Sequence, residues 1–166
     1  HGALFRTIDA GQHWQKISLP ISDSVNFYMN DVNFLTAQTG LITTESRIGD
    51  EGKQIQHDIW YTSNGGQRRK HVVTPISTGI SSNSITLSDE KTWWLVDNQN
   101  SFGQTNNSKP LMYVTYNAGS TWQERTLPVT DRLATNPQVV ERPRFFSSHD
   151  GVIQVAFRKA GQPYGG

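Results

Sequence analysis

Short runs of apolar and aromatic residues, broken by Gly, Ser, Thr, Asn and Asp, recur along the whole chain. Leu4-Phe5, Ile59-Trp60-Tyr61 and Met112-Tyr113-Val114 form one set; Ile85-Thr86-Leu87 and Trp93-Trp94-Leu95-Val96 belong to another. No stretch sustains the 3.6-residue period of an amphipathic helix. The pattern therefore predicts short strands joined by turns, and an all-β chain. Two hairpins are read directly: Asp31-Val32-Asn33-Phe34 into Gly40-Leu41-Ile42-Thr43, and Arg144-Phe145-Phe146 into Gly151-Val152-Ile153-Gln154-Val155. Phe34 to Gly40 and Phe145 to Gly151 are each six residues, and Leu87 and Trp93 hold the same places in the middle of the chain.

Between strands, one polar phrase occurs three times: Thr7-Ile8-Asp9-Ala10-Gly11-Gln12-His13-Trp14, Thr62-Ser63-Asn64-Gly65-Gly66-Gln67-Arg68-Arg69 and Thr115-Tyr116-Asn117-Ala118-Gly119-Ser120-Thr121-Trp122. Asp9 to Asn64 is 55 residues and Asn64 to Asn117 is 53; Pro20, Pro75 and Pro128 repeat the same spacings. A Thr followed two positions later by Asp or Asn offers side-chain oxygens to nearby backbone N–H groups and pins a tight turn. Gly11, Gly66 and Gly119 fall where a left-handed or otherwise cramped backbone is needed, and Trp14 and Trp122, three residues after the glycine, are placed to fold back over the blade. A period of about 50 residues built from short strands suits a β-propeller.

The phrase resembles the Asp-box, or BNR, repeat, Ser/Thr-x-Asp-x-Gly-x-Thr-Trp, of sialidases, xyloglucanase-type glycosidases, sortilin-like receptors and photosystem II assembly factors. Asn117 replaces the Asp in the third copy. The second has Asn64 and, where the Trp belongs, Arg69, so a weaker lock is expected there. The resemblance implies that each box joins the third and fourth strands of a four-stranded blade. The chain then reads as a partial propeller over 1–166: an outer strand pair (1–18), a blade (30–73), a second blade (84–126) and an inner pair (142–158). Rings close with four to eight blades. The expected partner is therefore either the missing part of a larger propeller or a second copy that completes the split blade. The start at His1-Gly2, without Met, is read as a cut.

Composition narrows the function classes. A formal charge of +1 gives no field that demands nucleic acid, and no apolar run approaches the ~18 residues of a membrane span. Without cysteine there are no disulfides or thiolate metal sites, and the five His lack metal-ligand spacing, so no metal or cofactor is expected. A texture rich in Ser, Thr, Asn and Gln suits an extracellular or cell-envelope bacterial protein.

Binding is expected on the long connections at the end of each blade opposite the boxes, because variable polar loops on a rigid scaffold are the usual recognition elements. Those connections are 20–30, 75–84, 128–142, 45–56 and 97–109. The candidate face comprises Tyr28, Asp31, Arg47, Asp50, Glu51, Asp97, Asn98, Arg132, Glu141, Arg142 and Arg144, and its expected ligand is protein or glycan. Asp9, Asn64 and Asn117 are read as structural, as are Thr7, Gly11, Trp14, Thr62, Gly66, Thr115, Gly119 and Trp122. Glycoside hydrolysis needs two carboxylates facing across a cleft. Spacing singles out no such pair, and the Phe/Tyr-Arg-Ile-Pro motif of sialidases is absent, so an enzyme is the lesser expectation. Gln67-Arg68-Arg69-Lys70-His71 reads as a solvated hairpin tip. Of Trp93 and Trp94, one is expected in the core, and the other is a possible platform for a sugar or peptide.

Overall fold

A computed structural model describes residues 3–18, 26–48, 54–76, 85–97, 111–127 and 137–157. The chain divides into two compact units, His1–Val72 and Val73–Gly166. Among the described residues every element is a β-strand and every pairing is antiparallel. No helix is long and apolar enough to cross a membrane, which says nothing about a barrel built of strands.

The first unit holds a hairpin, β1 (Leu4–Arg6) and β2 (Gln15–Ile17), and a four-stranded sheet. The sheet is β3 (Asn26–Phe34), β4 (Gly40–Ile48), β5 (Gln54–Thr62) and β6 (Lys70–Val72), paired in chain order. Strand β4 is central, and Leu41, Ile42, Thr43 and Thr44 are buried in succession, as expected of a strand covered on both faces. Ile59 and Val72 complete the apolar core. The hairpin is tied to the sheet by Arg6, whose guanidinium donates to the Gly65 carbonyl at 2.8 Å and the Ala37 carbonyl at 3.5 Å.

The second unit repeats the plan. Strands β7 (Ile85–Leu87), β8 (Trp93–Asp97), β9 (Leu111–Thr115) and β10 (Gln123–Thr126) form one sheet in chain order. Next come β11 (Pro137–Val140), β12 (Arg144–Phe145), β13 (Gly151–Val152) and β14 (Val155–Phe157), with β11 on β14 and β12 on β13. Val96, Met112 and Leu127 form a cluster against which Trp94, Ile153 and Val155 pack. Phe145 stacks on Trp94 with ring centroids 6.0 Å apart. Trp93 is wholly buried, so neither indole is left as an open platform.

The six-residue hairpin recurs three times: Phe34 opposite Gly40, Leu87 opposite Trp93, Phe145 opposite Gly151. In the outer two, the Phe ring lies over the glycine so closely that a Cβ would come within 2.6 Å of the Phe34 ring at Gly40 and 2.9 Å of the Phe145 ring at Gly151. In the middle copy the volumes are exchanged, with a smaller Leu facing a larger Trp. The two members of the pair share one volume, which the sequence divides in either order.

Several long connections are shorter than their polarity implied. Strand β4 runs to Ile48 and β5 starts at Gln54, with Glu45 opposite His57 and Arg47 opposite Ile55. Tyr28 is on β3 opposite Glu45, and Pro137–Val140 is strand β11 inside the presumed 128–142 loop. In 45–47, polar side chains alternate with the buried Ser46 instead of an apolar residue, which hides a strand from a hydrophobic pattern.

Candidate functional site

The three box turns are superposable in their hydrogen bonds. In the first, the Thr7 hydroxyl donates to Asp9 Oδ1 at 2.8 Å and accepts the N–H groups of Asp9 and Gly11 at 3.3 and 2.9 Å. Asp9 Oδ1 also accepts the N–H of His13 at 2.9 Å. Thr62, Asn64, Gly66 and Arg68 repeat the pattern at 3.1, 3.3, 2.9 and 2.8 Å. Thr115, Asn117, Gly119 and Thr121 do so at 3.0, 3.3, 3.0 and 2.8 Å. All the roles that count are those of an acceptor oxygen, which is why Asn serves as well as Asp. Each turn closes with two successive left-handed residues: Ala10 and Gly11, Gly65 and Gly66, Ala118 and Gly119.

The residue after the turn departs from expectation. Trp14 donates its indole N–H to the Gly11 carbonyl at 3.1 Å but is 59% exposed, so it latches the turn without entering a core. Arg69 donates to the equivalent Gly66 carbonyl at 2.6 Å, so the second copy keeps its latch despite lacking the Trp. Trp122 instead donates to the Val73 carbonyl at 3.1 Å. The basic run 67–71 is accordingly not a simply solvated tip. His71 Nε2 is 2.7 Å from the buried Asp58, which also accepts from Gln56 at 3.0 and 3.2 Å, and the His71 ring lies 5.1 Å from Trp60.

A second motif repeats without a fixed residue identity. In the hairpins of β3–β4, β7–β8 and β12–β13, Thr36, Asp89 and Ser147 each accept two backbone N–H groups within their own turn. The signal was present, since each stands two residues after Phe34, Leu87 or Phe145 and four before Gly40, Trp93 or Gly151. Thr, Asp and Ser share no identity, only a short side chain with an acceptor oxygen. The two turns of each sheet are also joined, through Gly65 N–H to the Gln38 carbonyl at 2.7 Å and Ala118 N–H to the Lys91 carbonyl at 2.9 Å.

These bonds set the local electrostatics. The His13 N–H, then its imidazole and the Thr7 hydroxyl, hold the Asp9 carboxyl below the ordinary 3.8. Burial pushes Asp89 up, but the N–H groups of Lys91 and Thr92 and the Thr92 hydroxyl outweigh it and leave the carboxyl lowered. Burial, then the charges of Asp97 and Glu124, raise the Tyr113 phenol.

The expected binding residues are divided between the two units and do not all lie at one end of the strands: Arg47 and Asp97 are at the ends of β4 and β8 away from the hairpin turns, whereas Arg144, opposite Val152, adjoins the β12–β13 turn. Tyr28, Asp31 and Arg47 belong to the first unit; Asp97, Glu141, Arg142 and Arg144 belong to the second. Tyr28, Arg47, Glu141 and Arg144 are exposed, while Asp31, Asp97 and Arg142 are half-buried. Asp31 Oδ1 accepts the N–H of Val32 at 2.9 Å, beside a bulge between Met29 and Asp31, and the Glu141 N–H donates to the Gln154 carbonyl at 2.9 Å. Asp50, Glu51, Asn98 and Arg132 lie outside the described residues. Among the described residues no three His, Asp or Glu side chains gather as a metal site. One open groove in the first unit, of about 730 Å³, is lined by Phe5, Ile8, Val32, Phe34 and Leu35 among others, and is chiefly apolar. No protein-family model, curated protein or solved structure matches the chain.

Proposed function

We propose that the chain is a non-catalytic Asp-box β-propeller module, a scaffold that binds protein or glycan in an exported bacterial protein. The observation that carries this reading is one turn chemistry used three times, each time between consecutive antiparallel strands and, in both whole sheets, between the third and fourth. Such turns use their polar groups on their own backbone. With the Thr and Asx oxygens so engaged, a structural role suits that rim. Exposed Arg47, Glu141 and Arg144 are suited to charge-assisted hydrogen bonds with carboxylate, amide or hydroxyl groups.

The test uses sialyllactose, a xyloglucan oligosaccharide and an immobilised peptide and glycan array. Neither sugar is expected to turn over. Array binding is expected to fall on Arg47→Ala or Arg144→Ala and to survive Thr121→Ala on the box rim. Turnover that disappears in Asp31→Asn or Glu141→Gln overturns the scaffold in favour of a glycosidase. Binding lost only through the box rim overturns the assigned face.

A further inference from the structure

Asn64-Gly65 is the one Asn-Gly step in the sequence. Asparagine is chemically labile where the backbone nitrogen that follows can reach its side-chain carbon, and glycine, with no Cβ, leaves that nitrogen unshielded. The other two boxes carry Asp9-Ala10 and Asn117-Ala118 at the same place. We infer that Asn64 is a site of spontaneous deamidation, held in check by the Gly65–Gln38 hydrogen bond and by Arg6, which clamps it.

The closed turn prepares the amide. Asn64 Oδ1 accepts the Thr62 hydroxyl at 3.1 Å and the Arg68 N–H at 2.8 Å. Two donors on one carbonyl oxygen draw charge from Cγ and stabilise the oxyanion that forms when a nucleophile adds there. The leaving nitrogen is held less firmly than its counterpart. In the third box Asn117 Nδ2 donates to the Thr121 hydroxyl at 2.8 Å. Position 68 is instead Arg, whose side chain accepts nothing, and Asn64 Nδ2 has no partner among the described residues.

The same turn restrains the nucleophile. The Gly65 N–H donates to the Gln38 carbonyl at 2.7 Å. Arg6 fixes both sides of that contact, since its guanidinium donates to the carbonyls of Gly65 at 2.8 Å and Ala37 at 3.5 Å. Thr36 braces the far side, its hydroxyl accepting the N–H groups of Gln38 and Thr39 at 3.2 and 3.0 Å. While these bonds hold, the Gly65 nitrogen keeps its proton and its place. Reaction belongs to the fraction of molecules in which the two turns have parted.

In that fraction the Gly65 nitrogen loses its proton to solvent base and bonds to Asn64 Cγ, closing a cyclic imide. The Cγ–Nδ2 bond breaks, and the nitrogen leaves as ammonia with a proton taken from water. Water then opens the ring. Attack at Cγ gives aspartate, and attack at the backbone carbonyl gives isoaspartate, in which the chain runs through the former side chain. The aspartyl product regains the bonds that Asp9 makes with Thr7 and His13, and it takes the formal charge from +1 to zero. The isoaspartyl product puts an extra methylene in the backbone before Gly65 and draws its N–H out of register with Gln38.

The test incubates the chain in mildly alkaline buffer, folded and in urea, and follows the tryptic peptide 54–68 by mass spectrometry. Asn64 is expected to convert in urea, faster than Asn117 in the same sample, and about tenfold or more slowly in the folded parent. In urea, Gly65→Ala is expected to suppress the conversion. Arg6→Ala and Thr36→Ala, neither of which alters the Asn-Gly step, are expected to raise the folded rate severalfold while circular dichroism stays native; where one of them unfolds, the other decides. An inert Asn64 in urea, or an Asn117 that converts as fast, overturns the site. Equal rates in the folded and unfolded parent, or a folded clamp variant with the parent's rate, overturns the restraint.

Discussion

The first and second box turns make the same hydrogen bonds with different residues, and their differences separate what the turn needs from what its neighbours need. The Thr hydroxyl and the Asx oxygen occupy fixed places: Thr7 and Asp9 in one, Thr62 and Asn64 in the other. The latch is interchangeable, because an indole N–H on Trp14 and a guanidinium on Arg69 reach the same glycine carbonyl. The first left-handed residue is not. Ala10 sits at φ 56° and Ala118 at 52°, so the turn accepts a methyl group, yet a Cβ at Gly65 would collide with the Arg6 guanidinium. Glycine at 65 answers to the turn, whose left-handed φ of 68° disfavours any side chain, and also to the docked hairpin, whose guanidinium a methyl group would displace.

The comparison breaks most readily at the threonines. Thr62 is buried and Thr7 only partly so; in Thr62→Val two backbone N–H groups lose their acceptor, at about 1–3 kcal/mol each, whereas water replaces part of the loss in Thr7→Val. Urea denaturation of both variants should show the larger drop in midpoint for Thr62→Val, and equal drops would place the two turns in the same environment.

A smaller effect sharpens the role of Arg6. Gly65→Ala is expected to cost about 1–3 kcal/mol through the left-handed backbone and the displaced guanidinium together, and the guanidinium's share should vanish when the change is made in an Arg6→Ala background. Additive losses in this double-mutant cycle would mean that the backbone, and not the guanidinium, excludes the methyl group.

The smallest effect is in acid. Asp9 titrates and Asn64 does not, and the folded Asp9 carboxyl lies below its ordinary 3.8. A depressed folded value stabilises the protein above that pH and loses its contribution as pH falls through the folded value. Stability should therefore decline below about pH 4 more steeply in the parent than in Asp9→Asn, with Asp89 supplying part of the remaining slope.

Strand order and hairpin lengths were legible because they repeat: Phe34 with Gly40 and Phe145 with Gly151 announce themselves by spacing, and the boxes by their Thr-x-Asx-x-Gly phrase. Arg69 misled because a missing Trp looks like a missing contact, while what the turn uses is a donor at the end of a long side chain. Arg6 carried no signal, since its partners Gly65 and Ala37 are distant in sequence and bear no signature of being bonded. The Asp58–His71 pair escaped for the same reason, because two strands had to be paired before it existed. Of the proposed binding residues, Arg47 and Asp97 were placed by their distance from the turns, but nothing in the spacing told that Arg144 adjoins the β12–β13 turn opposite Val152.

The link from one turn to the other within each sheet also bears on how the sheet comes apart. The Gly65 N–H to Gln38 carbonyl bond continues the β4–β5 pairing past Gly40 and Thr62, and the Ala118 N–H to Lys91 carbonyl bond continues β8–β9 past Trp93 and Thr115. The two middle strands of each sheet are thus fastened up to their turns, so under load β6 and β10, which pair on one side only among the described residues, should part first and leave that middle pair closed.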